Sequence, residues 1–382
     1  MQICKQQDLI SVIEKIKGSR ALAIDTEFMR EKTYHPLLCL VQMATDDIEF
    51  LIDPLKVDNL EPLADVLSDP ATTKIFHAGR QDLELLFRST GVVPAPLFDT
   101  QVAAPLLGLP QQVGYGTAVE EFCGVKLKKA DSLTDWTLRP LTDSQVQYSL
   151  EDVRYLIPMY DAMVERLKDC GRLHWLDSEF EHMQDPETYI IHEEDLWRKV
   201  KKTSALTRRQ LKHVSDIAIW REHIAQKRDI PRRWVIPDEL VVEISRREPA
   251  NVDELYRIRG AREKLTNSMA RTLVGLIKSG KESNPDSWPE RDKRRHQVSG
   301  SDAVADVLMG IVRLRAKESN IAPQVLATHG ELMQLAAGKR NDVDVLNGWR
   351  YQIVGHELVD FLDGKESVRV SSGNLQVGPM GE

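Results

Sequence analysis

Two carboxylates stand two residues apart at the end of an apolar run, Ala21-Leu22-Ala23-Ile24-Asp25-Thr26-Glu27-Phe28. The run has strand character, and alternate residues of a strand share a face, so Asp25 and Glu27 project together. Like charges held that close repel unless a cation lies between them. A solvated edge strand could carry the same pair, so acids elsewhere in the chain must decide. Asp82 is one, in His77-Ala78-Gly79-Arg80-Gln81-Asp82, on the first turn of a helix that follows a strand, where the helix dipole alone would favour an acid. Asp152 is another, four residues after Tyr148, a spacing that stacks the two on one helix face. Four acids from three segments suit hard divalent cations such as Mg²⁺ or Mn²⁺, which prefer oxygen ligands. Hydrolysis of a phosphodiester is one reaction that uses such a cage. Two ions about 4 Å apart activate the attacking water and stabilise the leaving oxygen.

The elements that must position these residues can be read in outline. Strands are expected over 21–28, Leu38–Ala44, Ile48–Ile52 and Lys74–His77, with a short one at Leu97–Phe98. Helical spacing covers 1–17, a stretch near 60–68, Asp82–Phe87 and a run from Asp99-Thr100 to about Leu107. Thr142-Asp143-Ser144-Gln145 is a capping-box pattern opening a long helix, with Val146, Leu150, Val153 and Ile157 as its apolar stripe. Strand–helix alternation with an early hairpin implies a mixed sheet flanked by helices. After Cys170-Gly171 strand patterns cease and charged helical sequence runs almost to the end.

Length and charge bound the rest. A chain of 382 residues holds two or three domains. Its net charge is −8, unevenly spread: residues 1–195 carry −16, 196–297 carry +11 and 298–382 carry −3. An acidic unit that collects cations followed by a basic unit that holds a polyanion is one reading, and a solvated basic helix face is the other. No stretch is long enough to span a bilayer and no secretory leader is visible; Cys4, Cys39, Cys123 and Cys170 are far apart, so a cytoplasmic protein with reduced thiols and no membrane partner is expected. An internal repeat also shows. Ile230, Val252 and Leu255 correspond to Ile321, Val343 and Leu346 at one shared offset of 91. The second copy, which includes Asn341-Asp342, has lost most of its basic residues.

Asp-x-Glu on a first strand, His-x4-Asp, and Tyr-x3-Asp late in the domain resemble the three exonuclease motifs of the DEDD superfamily, tyrosine subclass. Gln147 stands five before Asp152, where the histidine subclass carries its His. Asp25-Thr26-Glu27-Phe28, Phe98-Asp99-Thr100-Gln101 and Asp135-Trp136-x-x-Arg139-Pro140-Leu141 are closer still to the ribonuclease D family. Leu206-Thr207-Arg208-Arg209-Gln210, Arg228-Asp229-Ile230-Pro231-Arg232 and Ile258-Arg259-Gly260 are similar to its helicase-and-ribonuclease-D C-terminal (HRDC) domain.

The resemblance implies an α/β N-terminal domain, a ribonuclease-H-like mixed sheet with flanking helices, followed by two all-α helical domains. The expected divisions are an exonuclease domain at 1–170, a helical linker at 171–205, a first HRDC-like domain at 206–283 and a diverged second at 295–372. It implies a 3′→5′ exoribonuclease that releases 5′-mononucleotides by two-metal-ion hydrolysis with Mg²⁺ or Mn²⁺, in tRNA or small-RNA 3′ maturation, acting as a monomer on single-stranded 3′ ends. Asp25, Glu27, Asp82 and Asp152 would hold the metals, with Asp25 bridging both. Glu27 and Asp152 would hold the water-activating ion, Asp82 would support the other through water, and Tyr148 would orient the attacking water. His77, Trp136, Arg139, Arg208, Arg209, Arg228, Arg232 and Arg233 are candidate nucleic-acid contacts; for His77 a structural role is the preferred reading, and for Trp136 and Arg139 loop packing is the alternative. Two other functions remain open: a 3′→5′ DNA exonuclease, since the acids do not read a 2′-hydroxyl, and a non-catalytic nucleic-acid-binding protein.

Overall fold

The computed structural model describes residues 1–128, 134–290, 300–341 and 343–380. The chain divides into two compact units. One comprises Met1–Glu27, Leu38–Thr188 and His296–Glu382, and the other Phe28–Leu37 and Tyr189–Arg295.

The first unit is built on a six-stranded sheet of order β1-β4-β3-β2-β5-β6. Its strands are β1 (Gln2–Ile3), β2 (Ala21–Met29), β3 (Leu37–Ala44), β4 (Glu49–Ile52), β5 (Thr73–Phe76) and β6 (Leu97–Asp99). β2 pairs parallel with β5, and β5 parallel with β6, while β3 and β4 form the antiparallel hairpin. Residues 38–44 and 21–24 are buried throughout. Strands covered on both faces read as continuous apolar runs rather than alternating ones. Helices Gln6–Ile16, Arg80–Thr90, Tyr115–Cys123, Asp143–Arg154 and Leu156–Asp169 supply the cover.

Three local departures from the sequence expectation have physical causes. The first helix begins only at Gln6, because Gln2 and Ile3 pair with Leu51 and Ile52 as an edge strand too short to show a period. The helix opened by Thr142 has the expected capping box but breaks at Tyr155 and restarts as Leu156–Asp169. Pro158 explains the break: its ring clashes with the carbonyl four residues earlier, that of Arg154. Near the C-terminus, where helix was expected to continue, a two-stranded hairpin forms from β7 (Glu366–Ser371) and β8 (Asn374–Pro379). Its turn, Ser372-Gly373, has φ of 50° and 78°, the left-handed pair that a tight hairpin requires.

The C-terminal segment packs on the sheet body within this unit. Trp175 and Trp349 stack with centroids 4.4 Å apart and planes 2° from parallel. Arg172 lies over Trp175 and Arg350 over Trp349. The Arg172 guanidinium also donates to the carbonyls of Leu106 and Ser319.

The second unit is a helical module around Arg208–Arg228, Asp238–Arg247 and Asn267–Glu282. Its core gathers Leu211, Val214, Ile217, Ile244, Leu273 and Ile277. Thr207 and Gln210 form a reciprocal capping box at its long helix. The one-turn helix Arg232–Val235 has its counterpart in Pro323–Leu326, and the Asp238 helix start in that of His329, at the 91-residue spacing seen in the sequence. Asp342 lies outside the described residues.

Candidate active site

β2 carries the apolar stretch Ala21–Ile24 through the sheet and delivers Asp25 and Glu27 where the burial relaxes. The helix Asp143–Arg154 brings Asp152 to them. Carboxylate oxygens of Asp25, Glu27 and Asp152 lie within 4.8 Å of one another, the one such group of metal-type ligands among the described residues. Asp82 stands at the edge of this group. It is 7 % exposed, on the first turn of Arg80–Thr90, and accepts a hydrogen bond from the hydroxyl of Thr26, the residue between the two strand acids.

Among the described residues no basic side chain pairs with these four acids, and the electrostatics show it. Burial, then Asp82, Asp152 and Glu27, push the Asp25 carboxyl well above the usual range. Burial and the charges of Asp152 and Asp82 push Glu27 up to about 8. Asp152 is pushed up to about 7 by burial, against the pull of a hydrogen bond donated by Tyr148. Asp82 is raised to about 6 by burial, with the Thr26 hydrogen bond again pulling down. Buried like charges are stable only when protonated or joined by cations, so the donor set fits hard divalent ions. The Tyr148 hydroxyl is raised as well, by burial and then by Asp152, Glu27 and Asp25. It therefore stays protonated near neutral pH and can donate, which suits an orienter rather than a base.

The scaffold behind the acids is made of hydrogen bonds. Asp99 is 1 % exposed and accepts from four backbone N–H groups: Ala78 at 3.1 Å, Gly79 at 2.8 Å, Gln101 at 2.8 Å and Val102 at 3.3 Å. It thereby fixes the turn that leads into the Asp82 helix, where Ala78 holds φ of 62°. Gly79 is required there, since a Cβ would sit 2.5 Å from that of Phe76. The Tyr115 hydroxyl donates to the carbonyl of Glu151 at 2.9 Å and accepts from the N–H of Tyr155 at 3.4 Å, clamping the helix end that carries Asp152. His77 bonds Thr100 and the carbonyl of Val113 through its two ring nitrogens and meets the Tyr115 ring edge-on. Of these positioning groups, the sequence suggests a structural role for His77 alone. Tyr115 in particular acts across 36 residues, and no local pattern announces it.

The expected nucleic-acid contacts divide sharply. His77 has both ring nitrogens engaged within the protein. Trp136 is 3 % exposed and packs 6.1 Å from the Tyr148 ring, which leaves no face for a base. Arg139 places all five donors inside the protein, on Asp53 twice and on the carbonyls of Cys39, Trp136 and Leu138. Both residues therefore lock the loop rather than meet a phosphate. Arg209 makes a two-pronged pair with Glu248 at 2.9 and 3.1 Å. Arg208 bonds the Trp288 carbonyl and Glu290. Arg232 turns inward to Glu222 and the Tyr34 hydroxyl, its guanidinium over the Tyr34 ring. Arg228 and Arg233 are exposed and make no hydrogen bond or ion pair among the described residues.

Comparison with known proteins agrees with this geometry. Residues 1–168 match a 3′-5′ exonuclease family and residues 210–277 an HRDC domain. The chain is 38 % identical to the ribonuclease D of Sphingobium indicum over 379 residues, covering 98 % of this chain and 97 % of that one. It is 37 % identical to the ribonuclease D of Bartonella henselae, covering 98 % and 92 %. The crystal structure of Escherichia coli RNase D, described as an exoribonuclease involved in structured RNA processing, superposes with a TM-score of 0.82 at 30 % identity, covering 95 % of this chain and 98 % of that one.

Proposed function

The chain belongs to the ribonuclease D family, and from that premise we propose that it trims RNA from the 3′ end, releasing 5′-mononucleotides at the Asp25–Glu27–Asp152 pocket. The observation that carries this reading is the cluster itself: half-buried acids from two segments with no cationic side chain to pair them among the described residues. Asp25, Glu27 and Asp152 would hold two divalent ions, Mg²⁺ or Mn²⁺, with Asp82 adding charge from the rim. When bound, such ions lower the pKa of the attacking water and stabilise the leaving 3′ oxygen. The chain's own groups do the rest. Tyr148 donates to Asp152 and so stands ready to orient the water in line with the scissile bond. Asp99 and Tyr115 hold the two helices that deliver Asp82 and Asp152. The bond to the terminal nucleotide breaks, the leaving oxygen becomes the new 3′-hydroxyl, and no covalent intermediate is needed.

Five further points belong to the same proposal. The substrates are small structured RNAs such as precursor tRNA with a 3′ trailer, and the enzyme works as a monomer. The working divisions are 1–170 for the exonuclease domain, 171–205 for a linker, and 206–283 and 295–372 for two HRDC-like modules. A reducing, cytoplasmic setting accords with four free thiols, and no described helix is long and apolar enough to cross a membrane. The basic first module holds the RNA backbone, so affinity falls as salt rises.

The test is end-labelled RNA and DNA of one sequence, digested with and without chelator. A ladder of RNA products growing from the 3′ end, silenced by chelator, is expected. Equal turnover of the DNA would replace the RNA reading with a DNA exonuclease, and cleavage in chelator would remove the metal.

A further inference from the structure

The helical module exposes an aromatic ring beside basic side chains that form no ion pair among the described residues. Of the chain's seven tryptophans six are buried or half-buried, but Trp234 is 60 % exposed. It lies on the one-turn helix Arg232–Val235, where successive residues are about 100° apart. Arg232 points inward to Glu222, and Val235 is 3 % exposed in the core. Arg233 and Trp234 are thereby left on the outer side, and both are exposed.

A lone exposed aromatic needs no explanation. Its surroundings distinguish this one. Lys227 and Arg228 end the preceding long helix and are exposed, and Arg233 adjoins the ring. The acids of the stretch are engaged with other partners. Asp229 accepts the backbone N–H groups of Tyr34 and His35, both at 3.1 Å. Asp238 pairs with Arg221 at 2.7 Å, and Glu239 pairs with Lys202 at 3.2 Å while Arg233 acts on it only through its charge, without an ion pair. Lys227, Arg228 and Arg233 make no ion pair among the described residues. A flat apolar face bordered by exposed guanidinium groups that form no ion pair among the described residues suits a polyanion that carries flat rings of its own.

We infer that Trp234 is a stacking platform for an unpaired base of the RNA, with Arg228 and Arg233 taking the neighbouring phosphates. This rests on the exoribonuclease reading and gives the helical module one specific contact point. Stacking tolerates any base, so the platform holds RNA without selecting sequence, and its share of affinity is insensitive to salt. The two arginines contribute the salt-dependent share.

The experiment uses the full chain in chelator, so that nothing is cut, and a fluorescent single-stranded oligoribonucleotide of about 12 nucleotides, near the span of such sites. Trp234→Ala is expected to weaken binding roughly 5- to 100-fold with an unchanged salt slope, and Trp234→Phe to retain most of the affinity. Arg228→Ala with Arg233→Ala is expected to flatten the slope of log K against log salt by about 1.4. An oligonucleotide carrying 5-iodouridine should cross-link to the peptide that contains Trp234. Binding by Trp234→Ala within twofold of the parent, or cross-links confined to other peptides, would overturn the platform. A parent chain that holds no RNA at all would overturn the exoribonuclease reading instead.

Discussion

The two units treat buried charge in opposite ways. In the sheet unit, Asp25, Glu27, Asp82 and Asp152 converge with no cationic side chain among the described residues, burial raises all four carboxyls, and the neighbouring site acids push Asp25 and Glu27 up further. In the helical unit, Glu222 is 1 % exposed yet its carboxyl is lowered from its ordinary value. Burial there is outweighed by the Arg232 guanidinium, the Tyr34 hydroxyl and nearby positive charge. One arrangement is complete and serves the fold. The other is incomplete until something positive arrives, which is what a metal-dependent site must be. The contrast also separates cations: Arg139, Arg209 and Arg232 have acid partners, whereas Arg228 and Arg233 form no ion pair among the described residues.

The sharpest way to break this contrast is to remove one acid from each side. Asp25→Asn is expected to reduce RNA hydrolysis by at least roughly a thousandfold. It should also raise the melting temperature of the chelator-treated protein, because it relieves repulsion. Retained hydrolysis would mean that the metals sit elsewhere. Glu222→Ala should have the opposite effect on stability. It strands Arg232 and the Tyr34 hydroxyl half-buried, for an expected loss of about 3 kcal/mol in denaturant unfolding of the whole chain. A neutral result would show the pair to be ornamental.

A pH series sharpens the comparison without mutation. Glu27 at about 8 and Asp152 at about 7 keep protons that the unfolded chain, with carboxylates near 4, has already released. Where the folded state binds more protons, stability falls as pH rises. Melting in chelator should therefore drop between about pH 5 and pH 8, and excess Mg²⁺ should abolish most of the drop. A flat profile in chelator would mean that the acids are already compensated. The smallest expected effect belongs to the scaffold. Tyr115→Phe removes the clamp on the Glu151 carbonyl and should cost about 1 kcal/mol of stability. It should raise the metal concentration needed for half-maximal activity more than it lowers the rate at saturation, a split that general loosening of the fold would not produce.

Much of the pocket was legible because its logic is local. A two-residue period puts Asp25 and Glu27 on one face, a four-residue period pairs Tyr148 with Asp152, and Thr142–Gln145 announces the helix that carries them. What stayed hidden depends on partners far apart in sequence. Nothing in Asp135-Trp136-x-x-Arg139 says that Asp53, 86 residues earlier, absorbs the guanidinium. Nothing in Arg232-Arg233-Trp234 says which side chain turns in, since Glu222 and Tyr34 decide it. The break at Tyr155 was readable from Pro158. The closing hairpin was not, because two short half-exposed strands carry a weak alternation and only Ser372-Gly373 marks the turn.

The sheet unit is discontinuous, and its last segment is the C-terminal one, whose Trp349 covers Trp175. A ribosome adding about 10 residues per second must therefore synthesise the whole helical insert before the nuclease body can be sealed. A chain released early, short of residue 296, would leave the Trp175 side uncovered and sticky. Premature termination should thus yield fragments marked for quality control rather than a smaller working enzyme.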